Sequence, residues 1–457
     1  MQHLNNILKQ SKFHTMKHLF KTLSVCLVWF LLPGLTQAQE KNFNFQPTDI
    51  PNWRPYDQRG VNVFEAPKDE MLSYDGMALR FGAGFTQPFQ SLTHSNTLDS
   101  MGLYKRLAPG FAVAMANLYM DAVLAKGITL NVTTYLSSRH HNEAWVKGGY
   151  LQIDRFPFEG QFWDDLSKLV TLKVGHMEVN YGDQHFRRSD GGHTLYNPFI
   201  ENYIMDAFAT EVAGEVYVTK SGFLGMLGLS NGLINGGHQE PLIKGTNTTY
   251  KRNPSIYGKI AYDKMLNEKV RVRGALSAYH NSSDGRSTLY GGDRTGSNYY
   301  FVMENEGATS AANAFSGRFN PNFTNQITAI QFNAFVKAYG LEVFGTYENA
   351  KGRTIDEKQA NLPKRSVNQI GIDAIYRIGA KENLFIGGRY NTVKGNLLTS
   401  TNEQSIDRIA VGAGWFLTQN IMLKGEYVTQ KYKDFTAPSI LTGGEFKGVV
   451  IEAAIGF

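Results

Sequence analysis

Hydrophobic and polar residues alternate along most of this chain, from about Met77 to the C-terminus. In the last segment, Val449, Ile451, Ile455 and Phe457 share one face, and polar or small residues occupy most positions between them. Successive side chains of a β-strand point to opposite faces, so a period of two residues indicates a strand. The sequence therefore predicts a succession of strands, each ended by residues that favour turns.

The predicted strands number sixteen, and the connections between them alternate in length. An even number of antiparallel strands, with short turns at one end and long loops at the other, is typical of bacterial transmembrane β-barrels. The predicted fold class of residues 77–457 is therefore all-β, a transmembrane antiparallel barrel with short periplasmic turns and long extracellular loops. The short connections include 125–127, 339–340 and 418–420, and the long ones include 88–110, 182–204, 234–254, 282–324, 352–366 and 433–445.

A soluble β-sandwich or β-propeller is the competing fold. A propeller repeats a unit of roughly 40–50 residues with a shared motif in each blade, and this sequence contains no such repeat. The terminal Phe457, at the end of an alternating apolar strand, resembles the C-terminal signature of outer-membrane barrels. Both observations favour the closed barrel.

The N-terminus predicts export. Lys17 and Lys21 precede an apolar run from Leu23 to Leu32, and small residues around Ala38 follow. This order is typical of a secretory signal peptide, so we expect residues 1–38 to be removed near Ala38. A lipoprotein modified on Cys26 is the alternative, and translation from Met16 is a second open point. Residues 39–76 contain several prolines and have no sustained period, which predicts a periplasmic or lumenal segment.

Removal of the predicted signal peptide changes the net charge and the cysteine count of the chain. The 457-residue chain has a formal charge of +6 and one cysteine, Cys26. Residues 1–38 hold four of the 46 basic residues and no acidic one, which leaves 42 basic against 40 acidic residues, a net charge of +2. A nearly neutral chain gives no support for a nucleic-acid partner. A single cysteine excludes a disulfide framework, and a mean hydropathy of −0.30 excludes a helical membrane bundle.

Charged residues of the predicted strands occupy the face opposite the apolar one, so they are predicted to line the lumen. By this phase ten basic and eight acidic residues point inward, which predicts a water-filled channel with at most a mild preference for anions. A barrel plugged by loops or by residues 40–76 is the alternative. The predicted lumenal charge cluster is Lys259, Arg271, Arg273, Arg377, Arg389 and Arg408.

The long connection after the fifth predicted strand carries a second group of charges. Asp183, Arg187, Arg188 and Asp190 lie within eight residues of one another. In sixteen-stranded porins the corresponding loop usually folds inward, so these four residues are candidates for a pore constriction. The competing interpretation is that they hydrate an outward surface loop.

Enzymatic and metal chemistry have little support. The sequence has no Gly-x-Ser-x-Gly nucleophile motif. The histidines His140, His141, His176, His185 and His193 do not show the spacing of a zinc hydrolase. We therefore predict no enzyme activity, no cofactor and no metal.

The sequence resembles the phosphate-selective porin family, the porin O and P group of Gram-negative outer membranes. The resemblance is carried by the stretch 172–183, LKVGHMEVNYGD, by the sixteen-strand layout and by the terminal Phe457. It implies a trimeric, anion-preferring channel whose phosphate site is a group of lysines at the constriction. Here the corresponding loop has arginines mixed with aspartates.

These observations together predict an outer-membrane porin for small hydrophilic solutes or inorganic anions. The alternative is a barrel without channel activity that serves as a binding or secretion platform, with the loop 282–324 as its contact surface. The expected partners are outer-membrane lipid and lipopolysaccharide, the barrel-assembly machinery through the strand that ends at Phe457, and two further copies in a homotrimer.

Overall fold

The computed structural model describes residues 49–65, 68, 72, 74–98, 104–136, 144–233, 240, 242–243, 245, 247, 249–291, 297–313, 316–396 and 402–457. The predicted signal peptide, residues 1–38, lies outside this part of the chain, as do His140 and His141. Among the described residues, no helix is long and apolar enough to cross a membrane.

The regular secondary structure of the described chain is almost entirely antiparallel strand. Its strands are β1 (Ala78–Ser95), β2 (Gly110–Phe111), β3 (Met115–Ala125), β4 (Ile128–Leu136), β5 (Ala144–Ile153), β6 (Val170–Glu178), β7 (Thr210–Lys220), β8 (Phe223–Ser230), β9 (Ser255–Asn267), β10 (Val270–Asn281), β11 (Gln326–Ala338), β12 (Leu341–Arg353), β13 (Arg365–Ile378), β14 (Leu384–Gly395), β15 (Gln404–Thr418), β16 (Ile421–Lys433) and β17 (Glu445–Gly456). Two short helices, α1 (Gln161–Ser167) and α2 (Ile355–Gln359), lie in connections.

Sixteen long strands close into one barrel, and the two-residue β2 adds a short pairing beside β1. Each long strand pairs with the next in the chain, and β17 returns to β1 with twelve aligned residues, from Gly84↔Gly456 to Ser95↔Glu445. Closure satisfies the edge hydrogen bonds that an open sheet would leave unpaired in lipid. The predicted strand number and antiparallel order are confirmed.

The first strand is longer than the sequence indicates. The sequence predicted a connection over residues 88–110, but β1 continues to Ser95. Pairing with β3 ends at Thr86, and pairing with β2 begins at Phe89, so Pro88 lies in the gap between two ladders. A residue without an N–H group is tolerated at such a break.

The two faces of the wall differ as the alternation predicts. Large apolar side chains such as Ile386, Val411 and Ile451 are exposed on the outside, and the charged residues between them are buried inside. An apolar outer band and a polar interior are typical of barrels that span a membrane.

Connections at the two ends of the barrel differ in length. At the short-turn end most are tight, for example 339–340, where Tyr339 and Gly340 both have positive φ (50° and 89°), as type I′ hairpin turns require. The connection 154–169 is the exception, because it contains α1. At the long-loop end the connections 179–209 and 282–325 are the longest.

Candidate functional site in the barrel lumen

The connection 179–209, here called the inserted loop, folds into the barrel and is nearly all buried. Inward-facing side chains of the wall accept hydrogen bonds from its backbone. The N–H of Ile200 donates to Glu426 at 2.9 Å, and the N–H of Met205 donates to Gln369 at 2.9 Å. These two hydrogen bonds attach the loop to β13 and β16.

Cations of this part of the wall bind the carbonyl groups of the inserted loop. Lys424 Nζ donates to the carbonyls of Thr194, Asn197 and Phe199 at 2.8–3.0 Å. Arg389 donates to the carbonyl of Glu201 at 2.8 Å, and Arg408 to that of Asn202 at 2.7 Å. We call β12–β16 the anchoring wall, because its charges hold the loop in place.

The described N-terminal residues 49–65, here called the N-terminal insert, also lie inside the barrel. The Tyr56 hydroxyl donates to Asp121 at 3.0 Å, and Arg54 donates to the carbonyl of Phe186 at 2.8 Å. The Phe64 ring packs against Phe335 and Phe186, with ring centroids 5.4 and 5.8 Å away. The insert and the inserted loop thus pack against each other within the lumen.

Glu65 of the N-terminal insert joins two predicted groups of residues. It lies 2.7 Å from Arg273 and 3.2 Å from Lys259. Asp183 contacts the same two cations, at 2.8 and 3.1 Å. Burial opposes ionisation of Glu65 and Asp183, but Lys259 and Arg273 outweigh burial and lower the pKa of both carboxyls.

Of the other members of the predicted charge cluster, Arg271 lies beside this group and three lie apart from it. Arg271 pairs with Asp263 at 2.6 Å, and Arg377 pairs with Glu342 at 2.6 Å. Arg389 and Arg408 lie under the inserted loop. The structure therefore brings Lys259, Arg271 and Arg273 together around the insert, and it separates them from Arg377, Arg389 and Arg408.

The four constriction candidates also take different positions. Arg187 is buried above the rings of Phe335 and Phe344, and Arg188 pairs with Asp206 at 2.7 Å. Asp183 lies in the ion pairs described above. Asp190 alone of the four lines the remaining cavity. A constriction role for these four residues stays a prediction.

The cavity, of about 300 Å³, lies between β3–β8 and the two inserted segments. We call β4–β7 the open wall, because its inward side chains face this space. At one point of the lining, Phe208 packs beneath the cations of Lys147 and Arg188, and Asp190 pairs with both cations. The charged residues of the lining are Arg54, Lys68, Lys147 and Lys173, and Glu65, Asp154, Glu178 and Asp190.

The cations of this lining are less neutralised than its carboxylates. Three of the four carboxylates have a basic partner: Glu65 contacts Lys259 and Arg273, Glu178 faces His185 at 2.8 Å, and Asp190 pairs with Lys147. Within the described chain, Lys147 is the only one of the four cations with a carboxylate partner. Arg54, for example, donates to the carbonyls of Gly60 and Phe186. The lining holds equal numbers of cations and carboxylates, so the difference between them lies in pairing and not in net charge.

Sequence reasoning missed Lys147 and the insert residues. A bulge shifts the register between Thr133 and Thr134 opposite β5, so Trp145 and Val146 are both exposed and Lys147 turns inward. A bulge breaks the period of two that phase assignment needs. The insert has no period, and the prolines alone do not show where it lies.

Two histidines, His176 and His185, line the cavity. His193 lies outside it, and its Nε2 donates to the Tyr56 carbonyl at 2.8 Å. In the part of the chain that the structure describes, no group of three or more His, Cys, Asp or Glu side chains could hold a metal ion.

Comparisons with known proteins identify the class of fold. No family model matches the sequence, and no curated protein matches it. The anion-selective porin from Comamonas acidovorans aligns with 83% of this chain and 100% of its own, at 11% identity and a TM-score of 0.51. This likeness shows the fold of a porin-type barrel.

Two further solved structures align at lower TM-scores. The outer membrane channel DcaP of Acinetobacter baumannii covers 85% of this chain and 99% of its own, at 10% identity and a TM-score of 0.47. Salmonella typhi OmpF, in complex with daunomycin, covers 85% and 100%, at 12% identity and a TM-score of 0.46.

Proposed function

We propose that this chain is an outer-membrane porin, a water-filled diffusion channel for small hydrophilic solutes or ions in a Gram-negative cell. The observation that carries the proposal is a closed barrel with an apolar exterior and a cavity lined by charged side chains. A closed barrel of this kind is one of the two structures that can span a bilayer. The short-turn end then faces the periplasm and the long-loop end faces outward.

We further propose a mild preference for anions. Excess cations along a pore favour anions, and the cavity lining has more unpaired cations than unpaired carboxylates. The filled anchoring wall leaves the cavity along the open wall as the route for solutes. Asp190, which lines that route, is the constriction candidate that a solute would meet.

Recordings in planar bilayers test both proposals. Mature protein should give stable stepwise conductance, and a salt gradient should give a reversal potential of the sign expected for an anion-preferring pore. Replacing chloride with phosphate in these recordings tests whether the channel prefers phosphate, as the resemblance to the porin O and P family implies. Folded protein that inserts but never conducts would contradict the channel and favour the platform alternative.

Export by a signal peptide cleaved near Ala38, assembly through the strand ending at Phe457, contacts with lipopolysaccharide and a homotrimer belong to the same proposal. Directly after β17, the Phe457 N–H donates to the carbonyl of Ala83 at 3.0 Å, so this residue takes part in barrel closure. Chemical cross-linking of the protein in outer-membrane vesicles tests the trimer, which should appear as a band of three chains.

A further inference from the structure

One ammonium group on the open wall faces the cavity without a counter-ion. Lys173 Nζ lies over the Tyr217 ring at 5.0 Å and over the Tyr150 ring at 5.5 Å from the centroids. Within the described chain it forms no ion pair and no hydrogen bond. Cation–π attraction positions an ammonium group but does not occupy its three N–H donors. Lys173 therefore has donors available for a ligand.

Within the described chain, neither of the nearest strand neighbours forms an ion pair or a hydrogen bond with this cation. Lys173 is aligned with Gln152 on β5 and with Glu215 on β7. The Gln152 amide donates to Asp154 at 2.7 Å. The Glu215 carboxylate accepts from the Tyr257 hydroxyl at 2.9 Å and from the Asn180 N–H at 3.1 Å. Both neighbours are engaged in other hydrogen bonds and leave the N–H donors of Lys173 unoccupied.

Flat apolar surfaces surround the same point. The Trp53 indole of the N-terminal insert stacks on the Tyr150 ring, with centroids 5.6 Å apart and planes inclined by 4°. The Trp53 indole N–H is buried and has no acceptor among the described residues. Trp53, Tyr150, Lys173 and Tyr217 all line the cavity. The site therefore combines a free cation, an unused N–H donor and aromatic faces.

We propose that Trp53, Tyr150, Lys173 and Tyr217 form a binding site for a small carboxylate with a flat apolar body. The carboxylate accepts charge-assisted hydrogen bonds from Lys173, and the body of the ligand packs against the aromatic faces. An inorganic anion would leave the rings unused, and a neutral aromatic molecule would leave the cation unpaired. The cavity volume of about 300 Å³ lies at the lower end of the usual range for small-molecule sites.

This site deepens the proposed anion-preferring channel and rests on it for its biological role, but its binding is measurable without conductance. Benzoate is the probe, titrated by calorimetry into mature protein folded in detergent. We expect saturable binding that weakens about tenfold or more in Lys173→Gln, because a charged hydrogen bond is lost. Trp53→Leu, which keeps the charge and removes one aromatic face, should also weaken binding.

Lys337→Gln is the matched control. Lys337 also faces the lumen, but it pairs with Glu382 and Glu342 and does not line the cavity. It should bind benzoate as the wild type does. Strand content by circular dichroism confirms folding of each variant, and Trp53→Leu keeps the test decisive if Lys173→Gln does not fold.

Three results would overturn the proposal. Absence of saturable benzoate binding excludes the site, binding of benzyl alcohol as tight as benzoate excludes the role of Lys173, and phosphate binding as tight as benzoate excludes the role of the rings. Any of these results leaves the channel itself standing when the bilayer recordings show conductance. A silent bilayer with intact benzoate binding would remove the channel and keep the site.

Discussion

The anchoring wall and the open wall have the same kind of sequence and different surroundings. Both alternate outward apolar residues with inward charged or polar ones. On the anchoring wall, Arg389, Arg408 and Lys424 donate to backbone carbonyls of the inserted loop. On the open wall, Lys173 lies over two aromatic rings and faces the cavity.

The difference shows that a charged side chain that faces the lumen does not for that reason alone determine the ion selectivity of the pore. Buried backbone carbonyls need hydrogen-bond donors, and a loop inside a barrel brings many of them away from water. Cations beneath that loop act as such donors, so they are removed from the path of solutes. Charges that line the cavity remain to act on an ion.

The largest expected effect comes from breaking the anchoring wall. Arg389→Leu leaves Asp373, its partner at 2.7 Å, buried without a cation, which should lower the free energy of unfolding by about 3–5 kcal/mol. Urea titration of protein folded into phospholipid vesicles measures this change in the free energy of unfolding.

The control for that variant lies on the same strand. Lys394 pairs with Glu403 while 61% and 49% of the two side chains are exposed, so Lys394→Gln should change stability by less than about 1 kcal/mol. Equal effects of the two variants would show that Arg389 does not anchor the loop.

Removing the N-terminal insert should widen the route along the open wall. Deletion of residues 39–65 takes away Trp53, Arg54 and Phe64 from the lining, and pore width sets conductance, so single-channel conductance should rise roughly twofold. A chain shortened only by residues 39–48 is the control, because it keeps the whole insert. Unchanged conductance after the longer deletion would mean that ions do not pass the insert.

Acid should release the insert only at low pH. The pKa values of Glu65 and Asp183 lie below their ordinary values, near 4. Groups with a lowered pKa in the folded state contribute stability above their unfolded pKa, and this contribution is lost as pH falls through the lower folded pKa. Conductance should therefore stay level from pH 7 to about pH 4 and rise below it.

Glu65→Gln is the matched variant for the acid experiment. It removes the charge that contacts Lys259 and Arg273, so its conductance should be raised already at pH 7. A rise in wild-type conductance between pH 7 and pH 5 would contradict the lowered pKa values.

The sequence predicts the barrel well because the alternation of apolar and polar residues is set within each single strand. Each strand must present apolar residues to one side, so strand number, inward phase and the alternation of short and long connections are all readable. The predicted end of the first strand is wrong, because β1 stays paired with β17 beyond Pro88. The bulge at Lys147 causes a second error, because one extra residue reverses the phase.

The arrangement inside the lumen depends on contacts between distant segments. Arg54 is 132 residues from Phe186, and Lys424 is 225 residues from Phe199. Nothing in the local pattern of Arg389 distinguishes it from Lys173, although one lies beneath the inserted loop and the other faces the cavity. Only the three-dimensional structure therefore shows which wall the inserted loop packs against.

The most direct test of the account is the accessibility of one threonine on each side of the lumen. In a Cys26→Ser background, Thr133→Cys places a thiol on the open wall, where Thr133 lines the cavity. Thr346→Cys places the same group on β12 of the anchoring wall, where Thr346 is 4% exposed. A charged, water-soluble thiosulfonate added during recordings should lower the current through Thr133→Cys and leave that through Thr346→Cys unchanged. Block of Thr346→Cys with no effect on Thr133→Cys would contradict a route along the open wall.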